Sequence, residues 1–590
     1  MNGDSAPHTW HLESEPVKSL ISCSTLALLL LLAITTLAGP PAVEGYSDPG
    51  AFRGKLQSLA KSKLVSYSAL ARTLGGNDVA LLTVGTGKVD TKPAVLLVAG
   101  VNPTRPVDSE VLLRVARQLV KAAETDAEVR GLLDRVTFYV IAQAAPDAAE
   151  AFFSKPLEQR EVNLRPIDDD IDGQTDEDGP DDLNGDGLIT VMRVEDAAGK
   201  YVIHPGDDRL MIEADPKKGE HGRYTLYVEG RDNDGDGRLN EDPPGGVAFD
   251  RNFTFNYPYF KPGAGPHQVS EIETRAIADF AFEHRNIVLV WTLSDRDNLL
   301  DKWKPDTTAE EKRIKTTLLA ADAPYLDKIA KAYEEIRGKA KPPKSPESGG
   351  SFVAWVYFHY GRWSVATRPW WIPKDEKESV EPKDGNPDDE DKDKKEESKK
   401  DERGAEDLQA LAWFEKQGTE GFVDWQALEH PDLEGKKVEI GGFKPFLKDN
   451  PPASMLDDLA GRQYEFLLKL AGMLPRLKIS ELATEALGAD VWRVTAAVVN
   501  EGVLPTVSEL GRLTREPQLL QIELKLPAGV FLVTGHARRS IASLAGEGGR
   551  AEQKWLVRVA PGETPTLNVR VWSPMVGSVT RQIKLGEKLP

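Results

Sequence analysis

Cysteine is almost absent from this sequence, since Cys23 is the only one among 590 residues. Lys18 precedes the apolar segment Leu20–Ala38, whose densest run, Leu26–Leu32, is shorter than the ~20 apolar residues of a membrane span. We therefore predict that residues 1–45 are a cleaved secretory signal, with an uncleaved anchor as the alternative. Cys23 lies before the apolar run, which argues against lipidation. An exported protein without its signal would contain no disulfide.

Positive charge is also scarce. The 74 Lys and Arg residues are outnumbered by 94 Asp and Glu residues, and the formal net charge is −20. Such a balance argues against a nucleic-acid partner, because nucleic-acid binding depends mainly on a basic surface. We expect no membrane contact beyond the signal segment. The excess of acidic residues instead favours solubility and the binding of cations such as calcium.

The first half of the chain shows strands that alternate with amphipathic helices. This alternation predicts an α/β fold with a largely buried sheet flanked by helices. The clearest unit is an apolar strand at Val95–Val98, a turn at Gly100 and a helix over Val111–Lys121, which Asp108 or Ser109 can cap. Side chains that follow such a strand are often part of a binding or catalytic site. Here those side chains are Asn102 and Arg105.

Three acidic loops lie within residues 163–243. In each loop, oxygen-bearing side chains recur at positions 1, 3 and 5 and glycine follows at position 6, as in the first half of an EF-hand calcium loop. Position 12 holds Gly179, Arg193 or Pro243 in place of glutamate, so we expect Asp176, Asp178, Glu241 or Asp242 to close the loops. We predict structural calcium with the ligands Asp168, Asp170, Asp172 and Asp176 in the first loop, Asp182, Asn184 and Asp186 in the second, and Asp232, Asp234 and Asp236 in the third. The alternative is a set of solvated acidic loops that bind no ion.

The amino-acid composition changes twice in the second half of the chain. Residues 349–371 are rich in aromatic side chains and predict strand, turn and strand. Residues 374–403 are almost wholly charged and predict a disordered insertion. Short β-rich runs separated by Pro and Gly fill residues 476–590. They predict a separate β-sandwich of immunoglobulin-like size that follows an α/β domain at residues 46–475.

Several motifs of the α/β domain resemble the zinc carboxypeptidase family, the carboxypeptidase A-like metallopeptidases, and in particular its bacterial branch with Asp-rich insertions. The resemblance covers residues ~50–475. It implies a carboxypeptidase-like mixed sheet flanked by helices, followed by the C-terminal β-sandwich. The motifs that carry it are Asn163–Asp170, Glu229–Asp236, Arg251–Phe253, Ser270–Ala276 and Val438–Gly442, which stand in the expected order.

The resemblance implies a zinc held by His-x-x-Glu and a second histidine, together with a glutamate that activates the zinc-bound water. In this sequence the His-x-x-Glu positions are Asn102 and Arg105, the second histidine position is Ser294, and the glutamate position is Arg368. Asparagine, arginine and serine offer no usable ligand set for zinc, and arginine cannot act as a general base. The sequence therefore makes zinc doubtful and predicts no catalytic residues.

The resemblance also implies substrate-binding residues. Arg165 matches the arginine that polarises the scissile carbonyl, and Arg251 matches the arginine that grips a terminal carboxylate, beside Asp250 in place of asparagine. Two interpretations stay open. The arginines bind an anion such as a peptide carboxylate, or they form an inert salt-bridge cluster with Asp250, Asp295 and Asp297.

We accordingly predict an exported, calcium-stabilised pseudo-carboxypeptidase with a peptide-binding, anion-binding or scaffolding role. One alternative is an active zinc metallocarboxypeptidase that removes C-terminal residues from peptides. A second alternative is an interaction protein that acts through its β-sandwich.

Overall fold

The protein is described here from a computed structural model, which covers residues 44–589 except 306, 312, 313, 339, 375–402 and 489. The predicted signal segment, apart from its last two residues, and almost all of the predicted charged insertion lie outside the described residues. No helix within the described ranges has the length and apolar character needed to cross a membrane.

The first part of the chain alternates helices with strands, as predicted. Its elements are α1 (Pro49–Leu59), β1 (Val65–Arg72), β2 (Asp78–Val84), β3 (Ala94–Val98), α2 (Pro106–Thr125), α3 (Ala127–Arg135), β4 (Thr137–Ile141) and α4 (Pro146–Ala149). The acidic segment then contributes four short strands, which are β5 (Val191–Glu195), β6 (Tyr201–Ile203), β7 (Met211–Glu213) and β8 (Tyr224–Val228).

The chain next returns to the α/β layers. The following elements are α5 (Ile272–Glu283), β9 (Ile287–Leu293), α6 (Thr307–Glu311), α7 (Ala323–Arg337), α8 (Phe352–Phe358), β10 (Trp363–Thr367), α9 (Ala405–Gln417), β11 (Phe422–Leu428), β12 (Val438–Phe443) and α10 (Leu456–Gly472). The C-terminal part contains β13 (Leu477–Ala486), β14 (Val491–Asn500), α11 (Glu509–Thr514), β15 (Leu520–Lys525), β16 (Val530–Thr534), β17 (Arg538–Ile541), β18 (Gly549–Val559), β19 (Thr566–Ser573), β20 (Gly577–Lys584) and β21 (Lys588–Leu589).

A mixed six-stranded sheet forms the centre of the α/β part, in the order β1-β2-β4-β3-β9-β10. Strands β4, β3, β9 and β10 are mutually parallel, whereas β1 and β2 are antiparallel to their neighbours. Every residue of these four parallel strands is buried, which explains why the sequence shows continuous apolar runs there. The predicted α/β class with a helix-flanked mixed sheet is confirmed.

A second six-stranded sheet, in the order β11-β12-β5-β8-β6-β7, lies outside the central sheet. It pairs strands of the acidic segment with strands that follow residue 403, because β12 is antiparallel to β5. The acidic loops are therefore mounted on a folded subdomain. The sequence periodicity did not predict this pairing.

The C-terminal part consists of two antiparallel sheets, β16-β18-β14-β13-β21 and β17-β15-β19-β20. Alternate residues of β19 are buried between them, including Leu567, Val569 and Val571. These sheets confirm the predicted β-sandwich architecture.

The aromatic block at residues 349–371 differs from the prediction. Its first half is the helix α8 rather than a strand, and only its second half is a strand, β10. Ser351 caps the helix by accepting a hydrogen bond from the Ala354 amide. All seven residues of α8 are buried. The two-residue alternation of a half-exposed strand is thus missing, and an apolar run buried on every side does not distinguish a helix from a strand.

Candidate functional site

Three neighbouring parallel strands end at one edge of the central sheet and bring together the four positions at which the sequence departs from the family. Asn102 and Arg105 follow β3, Ser294 follows β9, and Arg368 follows β10. Asn102 Nδ2 donates a hydrogen bond of 3.0 Å to Asp295 Oδ2. The Ser294 amide donates a hydrogen bond of 3.1 Å to the carbonyl oxygen of Thr367, the residue directly before Arg368. This edge is where α/β folds place their ligands.

Arg105 is completely buried at this edge. Its Nε lies 3.0 Å from Asp108 Oδ2, and its Nη2 lies 3.3 Å from Asp108 Oδ1, so the two side chains form a bidentate ion pair. Nη1 approaches Asp449 Oδ1 at 3.5 Å, and Nη2 donates to the Trp370 carbonyl at 3.2 Å. Burial alone would lower the pKa of Arg105, but Asp108 and Asp449 outweigh it and raise that pKa. The guanidinium therefore stays charged, and its donors are used by partners within the protein.

The Arg105–Asp108 pair also corrects a prediction about the helix. Neither Asp108 nor Ser109 caps α2, because the helix begins at Pro106 and Arg105 occupies the capping position. Asp108 turns inward to the guanidinium instead. Burial raises the pKa of Asp108 to about 6, against the opposing effect of Arg105. A carboxylate as deeply buried as this one depends on its partner to remain charged.

Arg368 shares Asp449 with Arg105, since its Nη2 lies 3.5 Å from Asp449 Oδ1. Desolvation lowers the pKa of Arg368 to about 10, and repulsion from Arg105 acts in the same direction. A buried guanidinium and a partly buried one thus share Asp449 at the strand edge where the resemblance implies a zinc ion. A divalent cation would be repelled there.

The residues at this edge do not fit zinc. Asn102 Oδ1 accepts hydrogen bonds from the amide and the hydroxyl of Thr104, and the Ser294 hydroxyl lies 3.3 Å from the Arg296 carbonyl oxygen, so both side chains are engaged by the protein. Groups of three or more His, Cys, Asp or Glu with metal-binding spacing occur, in the described part of the chain, in the acidic loops. The strand edge lacks the nitrogen, sulfur and carboxylate set that zinc requires.

A cleft of about 850 Å³ opens beside this edge. Arg251 lies on its wall and forms no ion pair with any described residue. Arg165 is held by Glu271 at 3.2 Å and does not line the cleft. The lining residues are Val101, Asn102, Pro103, Glu161, Ala248, Asp250, Arg251, Pro258, Asp295, Arg296, Pro346, Glu347 and Gly349.

The predicted partners of the arginines are wrong in detail. Asp250 pairs at 2.5 Å with Arg296, which the sequence analysis missed, and its other oxygen accepts the Phe352 amide of α8 at 2.8 Å. Asp295 accepts a hydrogen bond from the Asn102 side chain. Asp297 accepts hydrogen bonds from the backbone amides of Leu299 and Leu300. Arg105, Arg165 and Arg368 are neutralised instead by Asp108, Glu271 and Asp449.

The structure brings the first and third acidic loops together and leaves the second apart. Asp170 shares one group of carboxylates with Asp234, Asp236 and Glu241, in which one oxygen of each lies within 4.8 Å of the others. The remaining groups are Asp168 with Asp170 and Asp172, Asp170 with Glu177 and Asp242, and Asp172 with Glu177 and Asp234.

The other predicted calcium ligands are engaged by backbone amides. In the second loop, Asp182 accepts the amides of Gly185 and Gly187. Asp176 accepts the Gly245 amide, and Asp232 accepts the amides of Gly235 and Gly237 in its own loop. Asn184 and Asp186 lie within 3.2 Å of each other and do not join the carboxylate groups of the first and third loops.

The mixed sheet, with a cleft at its strand ends, has the α/β architecture that the sequence predicts. A family model described as zinc carboxypeptidase matches residues 55–170, which confirms the predicted resemblance to that family. A second family model, described as a domain of unknown function (DUF8731), matches residues 476–584. A comparison with curated proteins found no match.

Solved carboxypeptidase structures are similar to this chain at low identity. Carboxypeptidase A from Helicoverpa armigera is 12% identical over 72% of this chain and 72% of its own length, with a TM-score of 0.37. A putative carboxypeptidase A from Shewanella denitrificans is 12% identical over 54% and 59%, with a TM-score of 0.29. A metallo-carboxypeptidase from Burkholderia cenocepacia is 26% identical over 17% and 27%, with a TM-score of 0.16.

Proposed function

We propose that this carboxypeptidase-like protein lacks the zinc-dependent peptidase reaction and uses its cleft to bind a ligand carboxylate, such as a peptide C-terminus. The observation that carries the proposal is the buried bidentate pair of Arg105 and Asp108 at the zinc-ligand position. This pair occupies the space with a fixed positive charge and its counterion. A water molecule at the strand edge would meet arginine where a peptidase needs a metal and a proton acceptor.

The loss of zinc chemistry is tested by metal analysis and turnover together. We expect substoichiometric zinc in protein purified without chelator and no release of C-terminal residues from a panel of peptides. An active zinc carboxypeptidase assayed in parallel serves as the positive control. Stoichiometric zinc together with turnover that zinc chelation abolishes would refute the proposal and support the active-enzyme alternative.

The binding role depends on Arg251. Its guanidinium faces the cleft without an ion-pair partner among the described residues, while the neighbouring Arg296 is held by Asp250 and by two carbonyl groups. A free guanidinium binds a carboxylate through two parallel hydrogen bonds. The carboxyl side chains of Glu161 and Asp295 line the same cleft and would suit the amine or basic side chain of the same ligand.

The Arg251→Ala variant is expected to bind a peptide about ten- to a hundredfold more weakly, because a charge-assisted hydrogen bond contributes roughly 1.5–3 kcal/mol. Isothermal titration with a peptide library that shares a free C-terminal carboxylate measures this loss, and the amidated library provides the ligand control. Arg285→Ala, which removes an exposed arginine that does not line the cleft, is the matched protein control. Equal binding of free and amidated peptides would contradict the proposed carboxylate recognition.

We further propose that the first and third acidic loops bind structural calcium, because their carboxylates approach one another with few compensating cations. Chelation is expected to lower the melting temperature, since removal of an ion present at about 100 times its Kd costs about 2.7 kcal/mol of stability. Differential scanning calorimetry before and after chelator, with calcium added back, measures the change. A melting temperature that changes with neither chelator nor added calcium would exclude a calcium role.

Export is also proposed, on the basis of Lys18 and the apolar segment that follows it. N-terminal sequencing of the mature chain tests this proposal. A mature protein that starts near residue 45 would support cleavage of the predicted signal, whereas an intact N-terminus would favour the anchor alternative or oppose export.

A further inference from the structure

The first and third acidic loops lie side by side and form two groups of carboxylates that share Asp170, which together we call the shared acidic cluster. One group is Asp170, Asp234, Asp236 and Glu241, and the other is Asp170, Glu177 and Asp242. The backbone holds the two loops in register, because the Asp178 amide donates to the Asp242 carbonyl at 3.2 Å in an isolated antiparallel bridge. The repeated EF-hand-like pattern of the sequence therefore does not correspond to three separate sites.

Buried acids without partners point into this cluster. Asp242 is 1% exposed, and neither of its carboxylate oxygens has a hydrogen-bond partner. Both carboxylate oxygens of Glu177 and of Glu241 are likewise buried and unpartnered. Asp178 is fully buried and uses one oxygen to accept the Asn233 amide, while its other oxygen has no partner. Buried carboxylates in this state carry a desolvation cost that nothing on the protein repays.

Other buried carboxylates of the same protein are satisfied. Glu229 is fully buried and accepts the amides of Leu183 and Thr190 together with the Thr190 hydroxyl. Asp147, which is 1% exposed, accepts the Thr73 hydroxyl, the Gly75 amide and the Asn77 side chain. The missing partners at Asp242 are thus a local feature of the cluster.

Few positive charges compensate the cluster. Among the described residues, the ion pair found within it joins Arg238 to Asp236 at 3.7 Å, on the exposed side. The remaining carboxylates of the cluster lie close to one another and repel one another. A bound cation would remove this repulsion.

We infer that a hard divalent cation, Ca²⁺, binds between the first and third loops in the shared acidic cluster, with Asp170 as the ligand common to both carboxylate groups and Asp242 as the buried ligand. This inference rests on the proposed calcium role and assigns it a position. The donors are all carboxylate oxygens, which suit calcium better than zinc or copper. Calcium also accepts six to eight oxygen ligands in flexible geometry, as an assembly from two loops requires.

Two isosteric variants of the full chain test the position. Asp242→Asn removes a buried ligand that lies outside the EF-hand-like pattern, and Asp182→Asn removes the first acid of the second loop. Calcium titration calorimetry is expected to show at least tenfold weaker binding for Asp242→Asn and unchanged binding for Asp182→Asn. Melting temperatures in excess calcium and in excess chelator provide a second measurement.

The two melting temperatures separate a ligand from a structural residue. With chelator present, Asp242→Asn is expected to melt at the same temperature as the unsubstituted protein or higher, because it removes an uncompensated charge. In calcium it is expected to melt lower. Unchanged calcium affinity of Asp242→Asn, or a loss confined to Asp182→Asn, would overturn the shared site while leaving the calcium role intact. Absence of calcium binding by the unsubstituted protein would overturn both.

Discussion

The Arg105→Met variant is expected to lose about 3–5 kcal/mol of unfolding free energy, because the substitution leaves the Asp108 carboxylate buried without its counterion. Both side chains are essentially inaccessible to solvent, with 0% of Arg105 and 1% of Asp108 exposed. Solvent therefore cannot replace the lost ion pair. Denaturant unfolding followed by circular dichroism measures the difference in unfolding free energy.

A second substitution separates the lost pair from the lost packing. The double variant Arg105→Met, Asp108→Asn removes the uncompensated charge and is expected to recover much of the stability, as buried ion pairs often exchange for neutral groups at little cost. Arg117→Met is the matched surface control, because its side chain is 59% exposed and its contact with Asp457 is 3.7 Å long. It should change stability by no more than about 0.5 kcal/mol. A single Arg105→Met variant as stable as this control would refute the described pair.

The position of the strand-end site could be predicted from the sequence, whereas its electrostatic partners could not. The continuous apolar run at Val95–Val98 identified β3 as a buried strand, and the resemblance to zinc carboxypeptidases related Asn102, Ser294 and Arg368 to one site. Neighbouring parallel strands then had to bring these residues together. Asp449, in contrast, lies 344 residues from Arg105 along the chain and carries no local signal of this contact.

Local spacing misled the sequence analysis at Asp108. The sequence pattern placed the start of the helix at Val111, and an acid just before a helix start is typical of a cap, so the pattern favoured capping by Asp108. The three-residue spacing from Arg105 also places this acid against an arginine at the capping position. Burial decides between these roles, since a buried guanidinium needs a counterion more than a partly hydrated helix end needs a cap. The sequence does not report that burial.

For the acidic loops too, the sequence predicted which residues could bind a cation but not how the loops are arranged in space. The pattern of oxygen-bearing side chains predicted which residues could approach a cation, and Asp170, Asp234 and Asp236 do meet in one group. It named Asp242 among the acids that could close the loops, but it did not predict that the second loop stays apart. That arrangement follows from the second sheet, whose strands come from chain segments more than two hundred residues apart.

The ion pairs at the strand edge also limit what the cleft can recognise. Four arginines each have an acidic partner that largely neutralises their positive charge, namely Arg105, Arg165, Arg296 and Arg368. Arg251 is the cleft arginine for which the described residues supply no partner. An anion would therefore meet one available guanidinium within a mostly acidic wall, which favours a ligand that carries both charges over a simple polyanion.

The Asp322→Ala variant is expected to lose about 2–4 kcal/mol of unfolding free energy, because it leaves three buried donors without an acceptor. Asp322 is 1% exposed and lies in the α/β part, just before α7. Its carboxylate accepts the Glu509 amide at 2.8 Å and the Leu510 amide at 3.2 Å, both at the start of α11, together with the Tyr357 hydroxyl at 2.9 Å. One side chain thus fastens the C-terminal part to the α/β part.

Tyr357→Phe provides the control, because it removes one of the three donors and leaves the contact between Asp322 and α11 in place. It should cost about 1 kcal/mol. Limited proteolysis distinguishes loss of docking from general destabilisation. If Asp322 acts as the fastening residue, Asp322→Ala should expose cleavage sites near residues 505–517 at denaturant concentrations where Tyr357→Phe remains resistant. Equal patterns for the two variants would mean that the β-sandwich is held chiefly by other contacts, such as the pair of Arg362 and Glu516 at 2.5 Å.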